Sequence, residues 1–598
     1  MQAKLPIDVF HHNVRAYPFR PAFRRKVGSD WDVISWSEYG EWVRNLGLGM
    51  IALGHEAGRA VTILGFNSVE WVVACVASMA IGGTPAGIYT TCTPEQVAYI
   101  VEHSESPICF VEDEHQLEKL RAKKDELPNL RCVVVWKAIE GEREEWVKTF
   151  DEVIALGAEQ DRAAYDERAA AIRPDDIGTL IYTSGTTGPP KAVMLSHQAL
   201  YFTGRVVVEM LDIRGPQRII SFLPLSHIAE QMITVHGSLH HAGEAWFAQS
   251  IEALPDNLKD ARPTLFFAVP RLWEKFKAGI EAKVKEAPTA RQKIFAVALA
   301  VGRRAGRHLI EHGRFESPLH EAAFKLFDKL VYAKLKANLG FDCVTYCYTG
   351  AAPISAEVLD FFNALNIPLM ELYGQSEDCG PTTANLPGAT RVGSVGRAIP
   401  GVEVKIADDG EILVRGQNVF AGYFKNPEST AETLIDGWLH SGDVGVIDEA
   451  GFLRITDRKK DLIITAGGKN VAPQNIEKLL KDHPLLSQAV VIGDRHKYLT
   501  ALLTLDGEAL KSFAKTHGVP QSPDEASKSR VVKETIQSHI DQVNAVLARY
   551  ETIKKFTVLP ADFSTDGGEL TPTLKVKRKV VNEKYAEQIA AMYPAESS

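Results

Sequence analysis

The sequence predicts an α/β fold: a large N-terminal part of mostly parallel sheets flanked by helices, then a small α+β part. Three observations carry this. Short, continuously apolar runs recur through the first two-thirds of the chain and alternate with helical stretches, the pattern of strands buried on both faces. A strand-like run empties into a hydroxyl- and glycine-rich loop at Leu180-Ile-Tyr-Thr-Ser-Gly-Thr-Thr-Gly-Pro-Pro-Lys191. Beyond Asp457, strand and helix alternate on a smaller scale.

Taken in order, Val61–Leu64, Ile108–Val111, Cys132–Val135, Thr179–Tyr182, Ile219–Leu223 and Leu265–Val269 read as strands. Trp71–Gly83 is apolar throughout but too short to span a bilayer, and reads as a buried helix. Residues 271–336 form a long helical region broken near Pro288 and Pro318. This insertion carries 15 Lys and Arg against 7 Asp and Glu, a surplus of eight positive charges in a chain of net charge −9. Two readings stand: a basic amphipathic face that meets a membrane or a fatty substrate, or a solvated insertion with one buried stripe. A charged tetrapeptide, Asp457-Arg-Lys-Lys460, separates two strands and reads as a hinge or a surface turn. The division is therefore 1–457, a hinge at 458–460, and 461–598. In the last part, helix Pro473–Asp482 and strands Gln488–Gly493 and Thr500–Leu505 follow.

Composition narrows the classes. A 598-residue chain with 45% apolar and 24% charged residues can bury a large core. Its modest negative charge gives no case for nucleic-acid binding. Seven cysteines without a paired spacing argue against a disulfide framework and for a reducing, cytoplasmic setting. The start, Met-Gln-Ala-Lys-Leu-Pro, lacks the apolar core of a signal peptide, and no uncharged apolar run is long enough to cross a membrane.

Five clusters carry chemistry. In the loop, Thr183, Ser184, Thr186 and Thr187 supply hydroxyl donors, Gly185 and Gly188 let backbone N–H groups approach an anion, and Lys191 adds a point charge. This suits a polyphosphate, although the spacing is not that of a Walker A loop. Tyr348-Thr-Gly-Ala-Ala-Pro353 ends a strand in small residues, leaving room for a planar base. In Leu369-Met-Glu-Leu-Tyr-Gly-Gln-Ser-Glu377, Tyr373 offers a ring to adenine, Ser376 a hydroxyl to an α-phosphate or carboxylate oxygen, and Glu377 a carboxylate to Mg²⁺. Gly437-Trp-Leu-His-Ser-Gly-Asp443 ends in an aspartate suited to ribose hydroxyls. Leu570-Thr-Pro-Thr-Leu-Lys-Val-Lys-Arg578 offers a lysine to a phosphoryl transition state, with Lys575 and Lys577 both eligible.

As an ordered set these clusters resemble the adenylate-forming superfamily of acyl-CoA synthetases, nonribosomal adenylation domains and luciferases. The matching motifs are 182–191, 373–377, 440–443, 457–461 and 572–575. Within it, Ser221-Phe-Leu-Pro-Leu-Ser-His-Ile-Ala-Glu-Gln231 and the insertion after Pro270-Arg-Leu-Trp273 look most like the long-chain acyl-CoA synthetases. Ile464-Thr-Ala-Gly-Gly-Lys-Asn-Val-Ala-Pro473 is similar to their bubblegum-type branch.

The resemblance implies two-step activation of a long-chain fatty acid, first to acyl-AMP and then to acyl-CoA, with ATP, Mg²⁺ and coenzyme A. It assigns Thr183–Gly188 and Lys191 to the β- and γ-phosphates. Gly350, Ala351, Ala352, Tyr373, Gly374, Gln375 and Ser376 go to the nucleotide, Asp443 and Arg458 to ribose, and Glu377 to the metal. Lys575 bridges the acyl carboxylate and α-phosphate, Lys460 is the hinge, and Gly467 and Gly468 line the coenzyme A path. Phe222, His227 and Trp273 are candidates to line or gate the acyl pocket, and each reads equally well as a packed core residue. Two departures are Ala192 after Lys191, where relatives usually carry glycine, and Leu574 before Lys575, where many carry glycine. Two other readings remain: a ligase that hands the acyl group to a carrier protein, and a non-catalytic lipid- or nucleotide-binding regulator.

Overall fold

The computed structural model describes residues 5–183, 189–466, 469–565, 567–571 and 575–593. The expected α/β architecture is present. An eight-stranded sheet has the spatial order Gly422–Tyr423, Lys191–Ser196, Ile177–Thr183, Thr84–Ile88, Ala60–Leu64, Ile108–Val111, Cys132–Val135, Val147–Thr149. Its inner pairs are parallel, and the two pairs at the Lys191–Ser196 end are antiparallel. Ala60–Leu64 is buried at every position, which is why it reads as an unbroken apolar run. Ser68 then caps helix Val69–Ala80, its hydroxyl accepting the Trp71 N–H at 3.1 Å. All of that helix except Glu70 is buried.

A second sheet runs Leu265–Ala268, Tyr346–Thr349, Leu369–Tyr373 in parallel, then Thr383–Ala384 and Arg397–Ala398 antiparallel. A third joins Arg218–Ser221, Glu244–Phe247, Pro21–Val27 and Asp30–Ser35. The sheet Val402–Ile406, Glu411–Gly416, Trp438–Ile447, Leu434–Ile435, with Leu453–Arg458 on Trp438–Ile447, is antiparallel throughout. Sequence pattern alone did not separate this sheet from its parallel neighbours.

Beyond Arg458, Ile463–Ile464 pairs with Asn470–Val471. Leu486–Ile492, Leu499–Leu505 and Ile553–Val558 form a three-stranded sheet with its own core, packed by helices Pro473–Lys481 and Arg530–Val546. The insertion is helical: Pro270–Glu286, Thr289–His312, Pro318–Phe327 and, through a π turn at Asp328–Tyr332, Ala333–Leu339. Pro288 and Pro318 stand at the helix starts, where a missing N–H costs nothing. Among the described residues no helix is long and apolar enough to cross a membrane.

Candidate active site

The polyphosphate loop is gripped at its base. Ile177–Thr183 and Lys191–Ser196 are antiparallel, Thr183 is opposite Lys191, and the Thr183 hydroxyl donates to the Lys191 carbonyl at 3.3 Å. Ser184, Gly185, Thr186, Thr187 and Gly188 lie outside the described residues. Ala192 is buried opposite Tyr182, and its carbonyl accepts the Phe424 N–H at 2.8 Å, so the methyl is accommodated within the sheet.

Lys191 and Glu377 meet through a residue that the motifs did not mark. The Lys191 ammonium stands 4.7 Å over the Tyr423 ring, and the Tyr423 hydroxyl donates to Glu377 Oε1 at 2.8 Å. Tyr423 is placed there by the edge strand Gly422–Tyr423 against Lys191–Ser196. Nothing in its local sequence announces this.

Strand Leu369–Tyr373 delivers the next group. Thr382 N–H donates to Tyr373 O at 2.7 Å, and Gly380 N–H to Gln375 O at 3.1 Å, closing a tight turn. The Gln375 N–H donates to Asp378 Oδ1 at 2.7 Å. Asp378 is fully buried, and burial holds its carboxyl well above the usual carboxylate range. The Phe420 N–H donates to the Glu377 carbonyl at 2.8 Å, fixing the turn to the adjoining segment. Ser376 is buried within this turn. Gly374 is required: a Cβ there would lie 1.5 Å from the Gly380 carbonyl oxygen.

Tyr373 is buried, and its hydroxyl donates to Asp443 Oδ2 at 2.8 Å. Asp443 Oδ1 lies 3.2 Å from Arg458 Nε, the two residues standing opposite each other in one strand pair. Asp443 keeps the Arg458 guanidinium above its ordinary pKa. Tyr373 is thus tied to the carboxylate expected at the ribose, a positioning contact that its expected adenine-facing role did not include. Strand Tyr346–Thr349 ends beside it. Gly350 approaches Leu372 closely, a Cβ there lying 3.0 Å from the Leu372 carbonyl oxygen. Ala351 adopts φ 66, a left-handed conformation that non-glycine residues hold only when their surroundings impose it.

Lys575 enters from the C-terminal part on a hairpin. Leu570 and Val576 are bridged, Thr571 N–H donates to Lys575 O at 2.8 Å, and Lys577 N–H donates to Glu569 O at 2.7 Å. Pro572, Thr573 and Leu574 lie outside the described residues. The Lys575 ammonium lies near enough to Arg458, Asp443, Glu377 and His227 for their charges to act on one another. Loss of solvation lowers its pKa to about 8; Arg458 pushes the same way, and Asp443 and Glu377 oppose. Lys577, two residues on, lies near Cys92, which feels its charge. The two lysines therefore have different neighbours: Arg458, Asp443 and Glu377 for Lys575, and Cys92 for Lys577.

The acyl-side residues divide. His227 caps helix Ile228–Glu230, its Nδ1 accepting the Ala229 N–H at 3.2 Å. Burial and the nearby Lys575 charge push its pKa to about 3, so the imidazole is neutral. Phe222 and Trp273 are instead in the core of the second sheet. Phe222 stacks on Phe266 with centroids 5.7 Å apart, and Trp273 is wholly enclosed by Phe266, Phe341 and Phe362. An aromatic residue near a motif is as readily core as pocket wall, and here close packing decided it.

Glu230 was also not foreseen. It is fully buried, accepts hydroxyls from Ser221 and Thr234 at 2.6 Å each, and burial pushes its pKa up to about 7. It braces the segment 221–227 that carries His227. The available signal was a lone acid inside an apolar run.

Comparison with known proteins gives the family and the fold. Residues 10–424 match the AMP-binding enzyme family, and residues 460–597 match the AMP-binding enzyme C-terminal domain. The chain belongs to the AMP-binding enzyme family. Among curated relatives of this enzyme, long-chain-fatty-acid–CoA ligase ACSBG2 of Xenopus laevis is 38% identical over 619 residues, covering 98% of this chain and 83% of the relative. Long-chain-fatty-acid–CoA ligase FadD15 of Mycobacterium tuberculosis is 37% identical over 594 residues, covering 98% and 96%. Among solved structures, the A-PCP didomain of carboxylic acid reductase from Segniliparus rugosus, in complex with AMP, superposes with a TM-score of 0.75 at 21% identity over 99% of this chain and 82% of that one. The anthranilate CoA ligase AuaEII, in complex with anthranoyl-AMP, gives 0.74 at 19% identity, covering 99% of each chain. The fold is that of adenylate-forming enzymes.

The match to the C-terminal domain begins at Lys460. Lys459 is tied to the antiparallel sheet, its N–H donating to Gly442 O at 2.8 Å and its ammonium pairing with Asp409 at 2.7 Å and Glu411 at 2.9 Å. On the other side, Arg578 pairs with Glu477 at 2.5 Å and with Asp461 at 3.8 Å. Lys460 lies between these anchors, exposed in a turn. Gly467 and Gly468 lie outside the described residues. Across the interface, Arg271 pairs with Asp506 at 2.6 Å and donates to Ser487 at 3.3 Å.

The carboxylate of Glu377 suits a magnesium ion carried in with a polyphosphate. One oxygen is oriented by Tyr423 and the other is free of that bond, and Mg²⁺ is commonly held by one or two carboxylates plus substrate phosphates.

Proposed function

We propose that this protein is an AMP-forming long-chain fatty acid–CoA ligase. One observation supports the reading: the Lys575 ammonium, from the C-terminal part, lies near the Asp443–Arg458 pair and Glu377, close enough for their charges to act on it. A cation there meets the charge that develops as a carboxylate attacks the α-phosphorus of ATP, and pyrophosphate leaves. The Thr183–Lys191 loop orients the β- and γ-phosphates. Asp443, positioned by Tyr373 and Arg458, takes the ribose hydroxyls. Glu377 would hold a magnesium ion, whose charge would offset that of the phosphates. Neutral His227 stands at the acyl side.

In the second half-reaction, residues 461–598 turn about Lys460, and the Gly467–Gly468 segment lines the path of coenzyme A. Its thiol attacks the acyl carbonyl and AMP leaves. Alignment and charge stabilisation supply the catalysis, without a strong general base. Contact with a membrane surface through the 271–336 helices belongs to the same reading, because the substrate partitions into lipid.

The test is release of AMP and pyrophosphate across acids of graded chain length, with and without coenzyme A. Formation of acyl-CoA, greatest with long chains, supports the assignment. Pyrophosphate release that yields no acyl-CoA redirects it to a carrier-protein acceptor. No release with any acid sinks it. The hinge has its own test: Lys460→Pro is expected to slow thioester formation from supplied acyl-AMP by about tenfold or more while adenylation stays within about twofold, since proline restricts the φ rotation that the turn requires. Equal loss in both half-reactions argues against a hinge at this position.

A further inference from the structure

The helical insertion is clamped on one side and bare on the other. Helix Thr289–His312 buries Ala298, Gly302, Ala305, Gly306 and Ile310. Gly302 and Gly306 let it lie directly on helix Ala356–Ala364: a Cβ would come 2.0 Å from the Ala364 carbonyl oxygen and 2.2 Å from that of Asn363. The Tyr332 hydroxyl donates to the Ala298 carbonyl at 2.6 Å, holding the next helical segment against it. These helices are firmly seated, so what they leave outside is a fixed surface.

On that outer side Leu319 is 82% exposed, Leu326 55% and Leu330 62%. Spacings of seven and four place all three on one side of the helical run Pro318–Tyr332. On the neighbouring helix Thr289–His312, Ile294 and Val297, three residues apart, are about half exposed. One exposed leucine needs no explanation; an aligned set does. Lysines flank the row. Lys325, Lys329 and Lys334 are exposed, and among the described residues Lys329 and Lys334 have no ion-pair partner while Lys325 pairs with Glu321. The whole segment carries eight surplus positive charges in a negative chain.

We propose that this face docks on the surface of an anionic phospholipid bilayer, with Leu319, Leu326 and Leu330 at the headgroup boundary and Lys325, Lys329 and Lys334 on the lipid phosphates. An aligned apolar row with a lysine flank is what an interfacial helix presents. A second copy of the chain fits less well, because a two-fold contact through this face brings the same lysines against one another. The surface rests on the ligase reading only for its purpose, delivery of a membrane-dissolved substrate.

The experiment is co-sedimentation of the full chain with phosphatidylcholine vesicles, with and without phosphatidylglycerol. Binding to the phosphatidylglycerol vesicles, weakened by salt, is expected. Leu326→Asp/Leu330→Asp and Lys329→Glu/Lys334→Glu should each lower that binding by about tenfold or more. Both variants should keep the wild-type circular dichroism and the wild-type rate of acyl-AMP formation from octanoate in vesicle-free buffer, which separates failure of this proposal from failure of the ligase reading. Wild-type protein that stays in the supernatant with anionic vesicles overturns the proposal, as do variants that bind like wild type. A leucine variant that changes only a dimer–monomer equilibrium on a sizing column also overturns it, in favour of a second copy.

Discussion

Lys575→Ala is expected to slow acyl-AMP formation by about a hundred- to a thousandfold while thioester formation from supplied acyl-AMP stays within about twofold of wild type. The magnitude is that of removing one charge-stabilising donor from a preorganised site. The selectivity follows from placement: Lys575 lies near Asp443, Arg458 and Glu377, the groups proposed for the first half-reaction, and the proposed rotation withdraws it for the second. Lys577→Ala, whose ammonium lies near Cys92, is expected to leave adenylation within about twofold. Adenylation that survives Lys575→Ala removes the assignment.

A pH limb accompanies it. The ammonium form is the useful one, and in the free enzyme its pKa is lowered to about 8. It is therefore charged below that pH and neutral above it. The kcat/KM of adenylation, which reports the free enzyme, should fall as pH rises through about 8. The fall should disappear in Lys575→Arg, whose guanidinium stays charged. A profile that is flat through pH 9 in wild type counts against the ammonium as the acting group.

Gly374→Ala is expected to cost about 3 kcal/mol of stability and about a hundredfold in adenylation. The added methyl would lie 1.5 Å from a backbone oxygen, that of Gly380, which has no side-chain freedom with which to yield. The turn has little slack, because Gly380 N–H and Thr382 N–H are bonded back to Gln375 O and Tyr373 O. The strain is relieved only by moving Gln375–Glu377, which displaces Glu377 from Tyr423 and Tyr373 from Asp443. Denaturant unfolding and the pyrophosphate assay measure the two effects. Gly215→Ala, where a Cβ meets nothing within 4 Å, serves as the neutral comparison. Unfolding and activity at the level of that comparison would show that the turn is not held as described.

Much of the site was legible because its signals are local. A strand such as Ala60–Leu64 reads as apolar because it is buried on both faces. The 183–191 loop reads as an anion grip because small residues and hydroxyls are adjacent in the chain. Gly374 stands out because it is wedged between a strand and a turn. The pieces that were missed are pairings across long stretches of sequence: Tyr423 with Glu377, Tyr373 with Asp443, Arg271 with Asp506. Each side chain alone is chemically ordinary, and no periodicity marks its partner.

By itself, then, the sequence determined the α/β class and the order of the chemical clusters, since hydrogen-bonding capacity and periodicity are properties of neighbouring residues. Only the tertiary structure decided that Lys575 lies near Asp443, Arg458 and Glu377 while Lys577 lies near Cys92, that Phe222 and Trp273 are core, and that the insertion turns leucines and lysines outward. Those outcomes depend on which surfaces close packing leaves room for, and packing is settled between segments that are distant in the chain.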